Sequence, residues 1–245
     1  MTRTWKSPCG MMELRCGRWQ DVLADVVECD AVLTDPPYSE WTHKGNETLD
    51  DQYGRTTLNG YSFLTAVDVR ALVDGWVPRL AGWFLAMTDD FLSWEYRSAL
   101  AYAGFYSFAS VSLIQHRPRL GGDGPGSCTV HIQVARPKQK RFCSWGSLPG
   151  WYKYPPAKIK GVNGAKPLGL MQQIVGHYSR PNDLIVDPYA GSGTTLLAAA
   201  IEGRRAIGAE MDPKTFDLAV KRLSKGYTPN MFVQNKPKAK QEPLL

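Results

Sequence analysis

The chain has 245 residues, 43% of them hydrophobic and 21% charged, which is enough to build one full core and too apolar for a disordered polymer. No run approaches the roughly 18 to 20 apolar residues of a membrane span, and Met1–Lys6 lacks the apolar stretch of a signal peptide, so a soluble cytoplasmic protein is expected. Five cysteines, at 9, 16, 29, 128 and 143, show no Cys-x-x-Cys spacing; neither a zinc site nor a disulfide framework is expected.

The net charge of +6 is unevenly spread. Residues 117–160 hold nine basic residues (Arg117, Arg119, Arg136, Lys138, Lys140, Arg141, Lys153, Lys158 and Lys160) against Asp123 alone, so this stretch carries +8 and the remainder −2. Phe142, Trp145, Trp151, Tyr152 and Tyr154 are interleaved with those charges. Basic residues bind a phosphate backbone and aromatic rings stack on bases, although the same composition also suits a solvated surface loop.

Hydrophobic period and turn residues predict, in chain order, a strand over Met12–Cys16, a helix over Trp19–Val27, a strand over Ala31–Thr34 and a long polar loop from Ser39 to about Gly60. There follow a helix over Phe63–Trp76, a strand over Trp83–Met87, a helix over Phe91–Ala103 and strands over Ser107–Gln115 and Cys128–Ala135. After a hinge of Gly, Pro and basic residues come a helix (Pro167–Tyr178), a strand (Leu184–Val186), a helix (Thr194–Glu202), a strand (Ala206–Ala209) and a helix (Pro213–Leu223). This alternation predicts an α/β fold with a mostly parallel sheet and helices on both faces, ligands lying at the carboxyl ends of the strands. One domain over 1–235 is expected, with 117–165 a basic, aromatic-rich insertion and 236–245 a mobile tail.

Two segments carry chemistry. The first, Ala31-Val32-Leu33-Thr34-Asp35-Pro36-Pro37-Tyr38, is an apolar strand ending in a carboxylate, two prolines and an aromatic ring. Proline fixes φ and biases the preceding residue to extended geometry, so Asp35 and the Pro36 carbonyl are held rigidly and can accept two hydrogen bonds from one amino group. An exocyclic amine on a nucleobase needs such fixing before it attacks an electrophile, and Tyr38 can stack on the base. Taken alone, Asp-Pro-Pro-Tyr is equally an ordinary strand exit and turn.

The second segment, Asp183-Leu184-Ile185-Val186-Asp187-Pro188-Tyr189-Ala190-Gly191-Ser192-Gly193-Thr194-Thr195, runs from a strand through a glycine-rich turn into a helix. Glycines let the backbone approach a ligand, and the helix N-terminus favours an anion. Glu210 ends the next strand, where an acid can hold the two hydroxyls of a ribose, so loop and acid together read as an adenosine half-site. The plainer reading is a tight turn followed by a surface Glu. Neither G-K-[ST] nor G-x-G-x-x-G is present, which argues against a triphosphate P-loop or a dinucleotide fingerprint.

From about residue 11 to 224, these segments together resemble the S-adenosylmethionine-dependent amino-methyltransferases of DNA, in the permuted order that puts Asp-Pro-Pro-Tyr before the glycine loop. The resemblance implies a Rossmann-like sheet with an antiparallel strand. It also implies catalytic Asp35, Pro36, Pro37 and Tyr38, and cofactor contacts from Asp187, Pro188, Tyr189, Ala190, Gly191, Ser192, Gly193, Thr194, Thr195, Glu210 and Asp212. Lys166-Pro167 looks like the Lys-Pro that begins the family's segment over the methionine end of the cofactor, and Phe216, Ala219 and Arg222 look like its following helix. Target recognition is placed between the two halves, which implies DNA contacts from Arg117, Arg119, Arg136, Lys138, Lys140, Arg141, Trp145, Trp151, Tyr152 and Lys153. The segment is small for the family, in keeping with a short site, loose specificity or a homodimer that shares recognition.

Three positions depart from the family pattern: Gly17 is followed by Arg18 instead of an acid, Asn163-Gly164-Ala165 replace His-Pro-Thr, and Ile114-Gln115-His116 replace Trp-Asp-Lys. The implied reaction is methylation of N6 of adenine on a flipped base in double-stranded DNA, with no metal and no covalent base adduct. N4 of cytosine, which presents the same two hydrogens, RNA, and an inactive DNA-binding module are the alternatives. The loop of residues 39–60, with His43 and Lys44, is long enough to close over a flipped base. His116, His131 and His177 show no metal spacing, and Trp76, Trp83 and Trp94 read as core.

Overall fold

The computed structural model describes residues 3–42, 63–119, 127–138, 145–157 and 164–226. Ten strands form one sheet: β1 (Arg3–Lys6), β2 (Met12–Cys16), β3 (Cys29–Thr34), β4 (Leu80–Thr88), β5 (Phe105–Ser107), β6 (Val111–Arg119), β7 (Ser127–Pro137), β8 (Trp151–Lys153), β9 (Leu184–Asp187) and β10 (Arg205–Glu210). The helices are α1 (Trp19–Val22), α2 (Ala66–Trp76), α3 (Asp90–Tyr102), α4 (Leu168–Tyr178), α5 (Thr194–Ile201) and α6 (Pro213–Gly226). No helix among the described residues is long and apolar enough to cross a membrane.

The strand order is β1-β2-β10-β9-β3-β4-β7-β6-β8, and β5 follows β6's line along the same margin of β7. The central run β2-β10-β9-β3-β4 is parallel throughout. The expected antiparallel strand is β7, and β1, β5 and β6 add further antiparallel pairs. Chain order and spatial order disagree at the middle, where β3 pairs with β9, so the carboxyl ends of the two chemistry-bearing strands become neighbours.

Strand residues alternate between two cores, as a period of two requires. Leu14, Leu33, Leu85 and Ile185 point to one face and pack with Leu170 and Ile174 of α4, Leu197 of α5, and Phe216 and Leu223 of α6. Val32, Phe84, Ala86, Val186 and Ile207 point to the other, against Trp19 of α1, Leu72 and Trp76 of α2, and Tyr96 and Leu100 of α3.

Several boundaries moved for identifiable reasons. The helix expected over Trp19–Val27 ends after one turn, at Val22, ahead of the β-branched Val26-Val27. The helix expected from Phe63 begins at Ala66, because Thr65 caps it in a reciprocal box with Asp68. The strand expected over Ser107–Gln115 is two, β5 and β6, separated at Phe108–Ser110. Edge strands β1 and β8 were not expected; β1 is exposed or half-buried along its length, so it carries no hydrophobic alternation to read. Within residues 117–165, β7 and β8 pair into the sheet. The loop of residues 43–62 and the tail of 236–245 lie outside the described residues.

Candidate active site

Asp35 follows the last residue of β3, and Asp187 is the last residue of β9. The two strands run in register, Ala31 beside Ile185 and Val32 beside Val186, so the carboxylates emerge on one edge. The Thr34 hydroxyl donates to Asp187 Oδ1 at 2.7 Å in a buried bond that joins the two halves. Thr34 was not singled out from the sequence, where a Thr ending an apolar strand has no distinguishing signal.

The Asp-Pro-Pro-Tyr turn is fixed from behind by Asp89, which follows β4. Asp89 Oδ2 accepts the Ser39 N–H (2.8 Å), the Ser39 hydroxyl (2.5 Å) and the Thr42 hydroxyl (2.6 Å), while its Oδ1 caps α3 through Leu92 N–H (3.0 Å). Burial pushes the Asp89 carboxyl up, and these hydrogen bonds outweigh it and hold the group below its ordinary value. The available sequence signal was an Asp at a strand-to-helix junction, which announces a cap and says nothing about a second clamp. Both Asp35 oxygens have partners: Oδ1 accepts the Tyr38 hydroxyl at 3.3 Å and Oδ2 an ion pair from Lys166 Nζ.

The glycine loop is held tightly. Gly193, at φ +76, takes the left-handed conformation that precedes α5, and a Cβ there would lie 2.9 Å from Leu223 Cδ1. Gly191, at φ +51, borders open space, for a Cβ there would meet nothing within 4 Å. Gly208 allows a close approach, since its Cβ would sit 2.8 Å from that of Ala190. The Ala190 N–H donates to the Ala209 carbonyl (2.8 Å), and Arg222 Nη1 donates to the Ser192 carbonyl (2.9 Å) and to the Thr194 hydroxyl (2.8 Å). Tyr189 Oη accepts Trp19 Nε1–H at 3.3 Å, which ties the loop to α1.

Both loop acids are buried. Burial pushes Asp187 up to about 6, partly offset by the Thr195 and Thr34 hydroxyls and the Tyr189 N–H. Burial likewise pushes Glu210 up to about 7, against hydrogen bonds from the Asp212 and Gly191 backbone. The Asp212 carboxylate takes the Thr215 N–H (2.8 Å) and hydroxyl (2.7 Å) at the start of α6, and these hold it below its ordinary value. Pro167 is the cap residue of α4, where its missing N–H costs nothing.

The ten residues expected on DNA divide by register. Asp35 follows Thr34, which pairs with Ala86, whereas Ala135 pairs with Phe84. Arg136 therefore lies about 13 Å toward the opposite edge of the sheet, at four residues of strand rise. There its guanidinium faces the rings of Trp83, Tyr106 and Phe108. Lys138 follows it on the same side. Trp145 packs edge-on against Trp83 and takes Arg180 over its face at 4.0 Å. Tyr152 is buried and shares a 2.8 Å hydrogen bond with His177 Nδ1, so it is not available to stack on a base. Pairing of β4 with β7 ends at Thr88 and His131, yet β7 continues to Ser127 beside β6 as far as Arg119, passing the edge that carries Asp35 by about 13 Å. Arg117 and Arg119 ride on that extension, and exposed Trp151 and Lys153 lie on β8 beside its base. Lys140 and Arg141 lie outside the described residues.

Residues 132–221 match the family described as DNA methylase. Putative methylase YubD of Escherichia coli is 28% identical over 197 residues, covering 74% of this chain and 76% of that protein. The type II methyltransferase M.HindIII of Haemophilus influenzae is 41% identical over 80 residues, 32% of this chain. The chain spans 25% of the length of that relative and 18% of M.HinfI. Among solved structures, the complex of M1.HpyAVI with SAM superposes with a TM-score of 0.64 at 21% identity, over 87% of this chain and 99% of that one. The cytosine-N4-specific PvuII DNA methyltransferase gives 0.59 at 14%, over 92% and 98%. The fold of the chain, a Rossmann-like mostly parallel sheet, is thus shared with both.

Proposed function

We propose that this protein transfers a methyl group from S-adenosylmethionine to an exocyclic amine of DNA, N6 of adenine. The observation that carries the reading is the β3–β9 adjacency, which sets a carboxylate-and-carbonyl turn beside a glycine loop and locks the two with the Thr34–Asp187 bond. The residues fit the cofactor. Gly191 opens onto free space, the N-terminus of α5 favours the cofactor's carboxylate, and Glu210 ends the next strand where a ribose would lie.

S-adenosylmethionine, when bound, supplies an electrophilic methyl on a sulfonium. Asp35 and the Pro36 carbonyl hold the two amine hydrogens, which directs the nitrogen lone pair at that methyl, and Tyr38 stacks on the base. Asp35 would stabilise the positive charge that develops on the amine nitrogen as it gains the methyl, and the proton that nitrogen then loses would pass through the Asp35 carboxylate to solvent, with S-adenosylhomocysteine as the other product. The flipped base costs a few kcal/mol of unpairing. The overhanging β6–β7 pair supports a DNA face at this edge, since a two-stranded ribbon fits the major groove.

Incubation with unmethylated DNA and S-adenosylmethionine, digestion to nucleosides and mass spectrometry test the reading, with Asp35→Ala alongside. N6-methyladenine that vanishes in the variant is the expected result. N4-methylcytosine would keep the mechanism and replace the base. No methylated nucleoside, with cofactor binding intact, would overturn DNA as the substrate.

A further inference from the structure

Lys166 lies one residue before the cap of α4, 131 residues along the chain from Asp35, yet its ammonium pairs with Asp35 Oδ2. It also sits 5.4 Å from the centroid of the Tyr38 ring and 3.4 Å from the Gly164 carbonyl oxygen. The pair is well shielded, with side-chain exposures of 12% for Lys166 and 24% for Asp35. Acceptor and ring are the two groups that the proposed mechanism assigns to the target amine and its base. A carboxylate oxygen can accept more than one hydrogen bond, but an ammonium lodged between Asp35 Oδ2 and the Tyr38 ring occupies the space that a base stacked on that ring and bonded to that carboxylate would need.

We infer that Lys166 is a displaceable counter-ion in the seat of the target amine. This rests on the proposed reading of Asp35 and Tyr38. In the substrate-free protein the ammonium keeps Asp35 charge-balanced and directed at the seat, and an incoming base must expel it. Expulsion costs the same whether the base is unmethylated or already methylated, so the lysine weakens substrate and product binding by one common factor. Its benefit is clearance of product, which can donate only one N–H to the turn.

The test compares wild type, Lys166→Met and Lys166→Arg. It measures KM for unmethylated genomic DNA, the inhibition constant of the same DNA after full methylation, and S-adenosylmethionine affinity by calorimetry. Lys166→Met is expected to lower KM and the product inhibition constant together, by about three- to tenfold, and Lys166→Arg to restore both. In the unmutated protein, acylation of Lys166 by an N-hydroxysuccinimide ester, read by peptide mass spectrometry, is expected to rise when unmethylated DNA and S-adenosylhomocysteine are added. Loss of cofactor affinity with both DNA constants unchanged would assign Lys166 to the cofactor and overturn the inference. Unchanged acylation on a DNA that the enzyme methylates would overturn it while leaving the proposed function standing. Absence of DNA methylation by the wild type would instead remove the proposed function, and this inference with it.

Discussion

Asp187 and Glu210, which end the strands on the glycine-loop side, and Asp35, at the Asp-Pro-Pro-Tyr turn, lie on the same sheet edge but in opposite environments. Asp187 and Glu210 are buried, and desolvation dominates them, raising both. Asp35 is partly open and its oxygens are shared between an ammonium and a phenol. A buried acid with fixed N–H and O–H donors suits a ligand that stays through the reaction, whereas an acid whose partner can leave suits one that arrives and departs. The comparison can be broken at either end.

The largest effect is expected at Asp35. Asp35→Ala should lower the methylation rate by about 10²–10³-fold, the loss typical of removing one preorganised group at the reacting centre. Calorimetric cofactor affinity should stay within about twofold; a parallel loss would mean that the two sites are not separable. Next come the glycines. Gly193→Ala should cost about 2–4 kcal/mol in urea unfolding, from left-handed backbone strain plus the collision with Leu223. Gly191→Ala, facing open space, should cost only the strain of about 1–2 kcal/mol, yet should impair cofactor binding by filling that space.

The pH response sharpens the contrast further. Glu210 is raised on folding, so its contribution to the stability of the ligand-free protein is full below the unfolded value near 4.5 and is lost as pH rises through about 7. Holding ribose hydroxyls requires the ionised form, so cofactor affinity should rise across the same pH 6–8 window in which the free protein loses stability. Glu210→Gln should flatten both curves, and a wild-type affinity independent of pH over that range would refute the assignment. The smallest change concerns DNA contacts. Replacing Arg117 or Arg119 with Ala should reduce the slope of log affinity against log salt by about 0.9 each, and Arg136→Ala should leave it unaltered.

That last contrast shows where sequence reading stops. The glycine loop and Asp-Pro-Pro-Tyr were legible because each demands particular backbone geometry in consecutive residues, and the strand and helix rhythm followed from burial on alternate faces. Arg136, Trp145 and Tyr152 share the basic, aromatic composition of a nucleic-acid surface, but which edge of the sheet each occupies depends on the β4–β7 register, a long-range pairing with no local signature. The Thr34–Asp187 and Lys166–Asp35 contacts, 153 and 131 residues apart in sequence, were hidden for the same reason. The Asp89 clamp was half-visible, as a helix cap.

The β3–β9 pairing has a consequence for biosynthesis. The Asp30 carboxylate accepts the N–H of Leu184, 154 residues later, and Ala31 lies against Ile185. At about 5–20 residues per second, β3 leaves the ribosome roughly eight to thirty seconds before its partner exists. Until then an apolar strand, Ala31-Val32-Leu33, has one unpaired margin, and loop closure over that distance is slow to nucleate. Early pairing with β4, only some 50 residues on, would cover the other margin first. The nascent chain therefore has a built-in window of aggregation risk that closes when the glycine-loop strand arrives, and that late pairing is also the one that brings the Asp-Pro-Pro-Tyr turn and the glycine loop together.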